Sequence, residues 1–534
     1  MRFFSARGAL LLLPIALLTI TPLLVVLSAL FQPQTEVWQH LIEFVLPSVF
    51  KNTAILLAGV GVGVLLLGVP LAWLTAVCQF PGRGFFAWAL MLPLAMPAYV
   101  LAFVMVDLLD FTGPIQSYLR ELTGSSAWFP RIRSTGGVII VMSLAFYPYV
   151  YLLARNAFLT QGKRALEAAQ MLGMSRPRAF WKVALPMARP WLIGGLTLAL
   201  METLADFGTV SIFNFDTFTT AIYKSWFSLF NLPAASQLAS LLVLLVVLIL
   251  AMERWARGDR RYHGRIVAAE RIVLSRVQGW CASLVCAAVL AISFVIPMLQ
   301  LVRWTTQVWQ EDFDARYLGF IVRSIGISLL AGILVTGLAL LIVLIQRRYP
   351  SKITSVLVRL ATVGYAVPGT VLAVGVFIPI AWIDNQLLPL AQALGWDTLQ
   401  ILKGSVAVML LALAARFMAV GFQPLDGAMQ RISYNQEDAA RTLGVSERGL
   451  LRRLHIPLMR GGVLTAILMV FVDVMKEMPI TLMTRPFGWD TLAVRVFEMT
   501  SEGMWQKAAL PSMLIVLAGI LPVIMLVKKS ENKS

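Results

Sequence analysis

Apolar residues in this chain gather into runs long enough to cross a bilayer as helices, which takes roughly 20 residues. Such runs occupy 9–30, 53–77, 85–109, 137–153, 191–213 and 234–252, then 280–302, 324–345, 355–383, 405–418, 461–483 and 509–527. The pattern predicts an all-α polytopic membrane protein of about twelve transmembrane helices. The first run follows a basic start, as in a signal peptide, but it is longer than a typical apolar core of one and no A-x-A site follows it. It is therefore expected to be a retained span.

Two polar islands interrupt the apolar runs with one grammar: LEAAQMLGMSRPRAFWKVALP at 166–186 and EDAARTLGVSERGLLRRLHIP at 437–457. Pro97 and Pro368 stand 271 residues apart, in LPLAMPAYVLA and TVGYAVPGTVLA, and the same offset relates Gly173 to Gly444, Ser175 to Ser446 and Pro186 to Pro457. A constant offset at such separated points marks a duplication. The halves are expected at 1–252 and 280–534, joined by a basic linker at 253–279. Six spans per half would give two parallel repeats about an axis along the membrane normal.

Composition agrees: 59% of the 534 residues are hydrophobic and 13% charged, against roughly 25% charged in ordinary soluble domains. A net charge of +17 could suggest nucleic acid, but the Lys and Arg residues cluster in alternate connections, around 163–189, 254–276, 347–352, 431–460 and 528–533. That alternation follows the positive-inside rule. It places both termini and both islands in the cytoplasm, with no nucleic-acid partner. Cys78, Cys281 and Cys286 have no metal or redox spacing, so they read as small core residues.

Within each island, helix formers lead to Gly173 or Gly444, residues suited to a left-handed helix end. Ser175 or Ser446 can then cap a second helix, expected to stop near Pro186 or Pro457. Such a helix–turn–helix fits three roles: DNA binding, an amphipathic helix on the bilayer surface, or a docking surface for a twofold cytoplasmic partner. The connections leave no room for the soluble domain of a regulator. The scattered His40, His263 and His455 give no clustered set for a membrane-embedded enzyme.

Glu167, Ala168, Ala169, Gly173, Val183, Leu185 and Pro186 resemble the signature loop of binding-protein-dependent ABC-transporter permeases. The second copy is similar through Asp438, Ala439, Ala440, Gly444, Leu454, Ile456 and Pro457, with Asp438 in place of the Glu. The resemblance implies that the loops 161–190 and 431–460 carry coupling helices seated on two copies of an ATPase subunit. It implies further a periplasmic substrate-binding protein, a bacterial inner-membrane location, and no cofactor on this chain itself. ATP and magnesium would belong to the partner, in keeping with the absence of G-x-x-x-x-G-K-[ST] from this sequence.

Ionisable residues at bilayer depth are candidates for function. At about 1.5 Å per residue, Glu202 and Asp206 fall roughly 16 and 22 Å into their span, and Asp473 and Glu477 correspond to them. The i, i+4 spacing of each pair would put both acids on one helix face. They could line a pathway for a cation, or be neutralised internally, Asp473 by Lys476. Pro97 and Pro368 are candidate helix hinges or plain kinks. METLADFGTVSIFNFDTFTTAIY at 201–223 and VDVMKEMPITLMTRPFGWDTLAVRVFE at 472–498 resemble fused ferric-iron permeases. Thiamine, polyamine and phosphonate permeases are the related alternatives.

Overall fold

The computed structural model describes every residue except 1, 32–34, 163–168, 170, 172, 258–270, 313–314, 396–399 and 532–534. A backbone facing lipid can satisfy its N–H and C=O groups only within its own helix. Accordingly, eleven helices among the described residues are long and apolar enough to cross a membrane. They are α1 Arg7–Phe31, α2 Trp38–Val77, α3 Ala98–Thr123, α4 Thr135–Thr160, α5 Phe180–Ala205, α6 Leu232–Ala256, α7 Arg276–Gln310, α8 Arg316–Arg348, α9 Gly369–Ala393, α10 Val406–Met429 and α11 Leu451–Lys476. A twelfth, α12, covers Ala509–Glu531, with its apolar stretch over Ala509–Pro522.

The repeat survives in detail. Helices α5 and α11 have the same bounds once shifted by 271 residues. So do the 3-10 turns Leu92–Ala95 and Val363–Ala366, and the π-helical turns Phe180–Ala184 and Leu451–His455. The fold is all-α in two six-helix repeats. Among the described residues the one strand pairing is a two-residue parallel contact of Cys78–Gln79, just after α2, with Ile272–Val273, just before α7.

Two compact units emerge, and neither is a sequence half. One comprises Met1–Thr35, Ile222–Val243 and Phe313–Arg495. In it α1 packs beside α9 and the preceding helix Lys352–Ala361, where the Thr19 hydroxyl donates to the Ala361 carbonyl at 3.1 Å, and Leu12, Ile15 and Ala16 share a core with Ala339, Ile342, Met418 and Leu425. Gly375 of α9 lets the backbones touch, because a Cβ there would run into the Pro22 carbonyl. The other unit comprises Glu36–Ala221, Leu244–Asp312 and Val496–Ser534. Here Gly59, Gly63 and Gly68 of α2 lie against Ile139, Ser143 and Val150 of α4. Such small residues allow the close contact that dispersion needs where no hydrophobic drive operates. Helix α7 joins this unit: the Ser283 hydroxyl donates to the Pro81 carbonyl at 2.7 Å, and Trp304 stacks on Phe103 with centroids 6.1 Å apart.

The expected spans at 85–109 and 355–383 are each broken. In the first, helix Arg83–Ala89 gives way to the 3-10 turn, Met96 is extended, and Pro97 opens α3. In the second, Lys352–Ala361, extended Val367 and Pro368 repeat the arrangement. The residue before a proline is driven out of the α region, and a proline at the start of a helix forfeits no hydrogen bond.

The helices expected to stop near Pro186 and Pro457 run through them. The π turn before each lets the Leu185 or Ile456 amide reach back five residues, to Phe180 or Leu451, and the wider turn absorbs the missing proline N–H. The same device precedes Pro47 and Pro297. If close backbone contact holds α1 in its unit, Gly375→Val should cost about 1–3 kcal/mol of stability by overpacking. Thermal unfolding of the purified chain in detergent checks this, and an unchanged midpoint would contradict the contact.

Candidate functional site

Two regions carry the polar chemistry: the two polar islands and the helix breaks that follow α5 and α11. In the first island, Glu167 and Ala168 lie outside the described residues. Ala169 is buried, Gly173 adopts φ +79°, and the Met174 amide donates to the Ala169 carbonyl at 3.0 Å. A new helix then starts at Arg176 and continues through Pro186 into α5.

The second island is described throughout its backbone. Ser433 opens helix Tyr434–Thr442 with a reciprocal Ser433–Gln436 capping box. Gly444 ends it at φ +80°, where the Gly444 amide donates to Arg441 and the Val445 amide to Ala440. That pair of bonds satisfies the last carbonyls of the helix. Ser446 then accepts from the Gly449 amide at 3.2 Å and starts the helix that runs through Pro457 into α11. Ala439 is exposed and Ala440 half-buried.

Asp438, the counterpart of Glu167, is 68% exposed and pairs with Arg441 at 3.0 Å. Its neighbour Glu437 is the buried acid, 3% exposed, with Arg347 Nε at 2.8 Å and His455 Nε2 at 3.2 Å. The sequence reading passed over Glu437. The available signal was the duplication, which sets Glu437 against an apolar Leu166. A large apolar side chain also stands in the open shortly before the turn glycine of each island, Met171 at 89% and Leu443 at 83% exposure.

At membrane depth, α5 ends at Ala205 and Asp206 is extended; α11 ends at Lys476 and Glu477 is extended. The second acid of each pair therefore leaves the helix, and the shared face expected from i, i+4 spacing does not form. Both acids instead serve the helix that follows. Asp206 accepts from the Thr209 hydroxyl at 2.9 Å and the Val210 amide at 3.2 Å. Glu477 accepts from the Ile480 amide at 2.9 Å. A carboxylate at a helix start meets orphan N–H groups and the positive end of the dipole, which is what makes a break tolerable there. Glu202, Asp473 and Lys476 stand half-buried in the last turns of α5 and α11.

The second repeat adds a cation. Arg416 of α10 is buried, with its Nε 3.5 Å from Glu477 Oε2. A Cβ on Gly369 would lie 2.6 Å from Arg416 Nη1 and 2.7 Å from Glu477 Oε1. The glycine after Pro368 thus makes room for an ion pair. At the matching positions of the first repeat stand Ala145 and Ala98, and no guanidinium needs the space. Arg416 Nε and Nη1 and the Thr370 hydroxyl are buried without a hydrogen-bond partner. Among the described residues no group of three or more His, Cys, Asp or Glu could hold a metal ion.

The profile of the family described as binding-protein-dependent transport system inner membrane component matches this chain twice, over 68–258 and 328–529. An Fe(3+)-transport system permease protein of Haemophilus influenzae is 28% identical over 90% of this chain and 89% of its own length. A molybdenum transport system permease protein of Escherichia coli is 28% identical over 37% of this chain and 88% of its own length. A sulfate transport system permease protein of Salmonella typhimurium is 28% identical over 34% of this chain and 66% of its own length.

Removing one partner of a buried ion pair strands the other, at about 3–5 kcal/mol, whereas removing both is far milder. Arg416→Met should therefore lower the unfolding midpoint in detergent sharply, and adding Glu477→Gln should recover most of the loss. Equal losses in the single and double variants would show that the pair is not what holds the break.

Proposed function

This chain belongs to the binding-protein-dependent transport system inner membrane component family, and from that premise we propose that it is a fused permease importing ferric iron. The observation that carries the cargo is coverage. The Fe(3+) permease aligns across both repeats, while the molybdenum and sulfate permeases align over about a third of the chain.

In this reading a periplasmic binding protein delivers iron to the outer face. Two ATPase subunits, holding ATP and magnesium, seat on 161–190 and 431–460 at the cytoplasmic face, where both chain ends also lie. The chain itself performs no catalysis. Glu167 to Ala169, with Gly173 and Pro186, form one docking segment; Asp438 to Ala440, with Gly444 and Pro457, form the other. The turns at Gly173 and Gly444 support this, since positive φ at each stands just before the helix that continues into α5 or α11. The halves 1–252 and 280–534, joined by 253–279, supply one docking segment each. Pro97 and Pro368 are the points where α3 and α9 can swing.

A second reading is favoured by one observation. Arg416, though ion-paired with Glu477, and Thr370 hold buried donors with no hydrogen-bond partner at the N-terminus of α9, a place that suits negative charge. That supports an anionic cargo, as the molybdenum and sulfate relatives would suggest. Glu202, Asp206, Asp473 and Glu477 favour a cation, although Asp206 and Glu477 are already committed to helix starts.

Proteoliposomes carrying the chain, its ATPase and its binding protein should accumulate radiolabelled ferric iron only with ATP, undiminished by excess molybdate or sulfate. Uptake of either oxyanion in place of iron would select the second reading. Gly173→Val and Gly444→Val, which force a β-branched residue into positive φ, should each cut ATP-dependent uptake while assembly persists. Unchanged uptake in both would remove the docking assignment.

A further inference from the structure

The segment read above as the second docking segment is fastened to membrane helices by charge. In the second repeat one carboxylate is the fastening. Glu437 Oε1 meets Arg347 Nε at 2.8 Å and His455 Nε2 at 3.2 Å, and Oε2 lies 3.8 Å from Arg441. Arg347 also donates to the Ile432 carbonyl at 2.9 Å and lies 3.5 Å above the centre of the Tyr434 ring. Arg347 belongs to the last turn of α8 and His455 to the π turn of α11. A single buried acid thus ties helix Tyr434–Thr442 to two membrane helices.

The first repeat has none of these groups. The positions 271 residues earlier are Ala76, Leu166 and Ala184. An aromatic cluster stands near the same corner instead: Trp73 of α2 meets Phe180 at 4.6 Å and Phe158 at 5.2 Å between ring centroids. The second-repeat counterparts of those rings are Leu344, Leu451 and Met429. Among the described residues, each repeat shows one of these clusters and not the other.

We propose that Glu437 is a positioning residue for energy transfer, making helix Tyr434–Thr442 move as one body with α8 and α11. The proposal rests on reading 431–460 as an ATPase-docking segment and extends it: the hold on this segment depends on charge, through groups that the matching positions of the first repeat do not carry. Buried charged hydrogen bonds are directional, so loss of the acid should free the helix without dissolving it. Loss of an aromatic contact in the first repeat has no such charge to strand.

Hydrogen exchange of the full-length chain in nanodiscs tests the fastening without any partner. Glu437→Gln should speed exchange over 434–444 by about tenfold, the loss expected for a charged hydrogen bond, and leave 173–184 unchanged. Glu437→Asp should restore part of the protection. Should Glu437→Gln not fold, the combination Arg347→Ala, Glu437→Leu and His455→Ala removes the charges together and should give the same local increase. In the reconstituted complex, Glu437→Gln should keep ATP hydrolysis while uptake per ATP falls several-fold. Unchanged exchange over 434–444, equal acceleration in both repeats, or an unchanged uptake per ATP would each overturn the proposal. A wild-type chain that captures no ATPase would refute the docking reading instead, and the exchange comparison would still decide whether Glu437 fastens the helix.

Discussion

Everything in this structure depends on one constraint: a backbone amide within the bilayer must find its partner inside the protein. Unbroken helices meet the constraint by themselves. A break can exist only where something else receives the freed groups. The breaks at Asp206 and Glu477 obey this, since each acid accepts from the helix that follows it. The prolines obey it in two ways. Pro97 and Pro368 stand at helix starts, where an N–H is not needed, and Pro186 and Pro457 lie within continuous helices that widen by a π turn.

The same constraint explains how a duplicated scaffold can carry unequal chemistry. Backbone geometry is nearly identical in the two repeats, to the point that Pro97 and Pro368 share φ near −57° and ψ 143°. Side chains are free to differ wherever the backbone is already satisfied. The second repeat uses that freedom for charge, with Arg416 beside Glu477 at the break after α11 and Arg347 with His455 around Glu437 in the second island. The first repeat keeps small or apolar residues at the matching basic positions. Gly369 shows the interdependence: it is bare because a guanidinium and a carboxylate occupy the place of its side chain.

Helices, repeat and turn glycines were legible because they rest on local rules, namely apolar run length, a constant offset and the need for positive φ. Gly173 and Gly444 take that conformation at +79° and +80°. The breaks were less legible. An apolar run is equally apolar when it bends, so 85–109 read as one span, and only tertiary packing decides that Pro97 starts a new helix. The i, i+4 spacing of Glu202 with Asp206 presumed a helix that ends one residue too soon. Glu437 was hidden for another reason. Its partners Arg347 and His455 are 90 and 18 residues away, and an acid in a helical stretch looks solvated until its burial is known. The grouping of α1 with α8 and α9 likewise depends on contacts such as Gly375 with Pro22 that no periodicity announces.

What most needs testing is the proposal that an ATPase grips this chain at the two polar islands. Met171 and Leu443 stand in the open beside the turns at Gly173 and Gly444, so a photoreactive amino acid at either position reports what lies against it in the native membrane. Capture of an ATP-hydrolysing subunit from both positions is the expected result. Capture of lipid alone from both would contradict the claim.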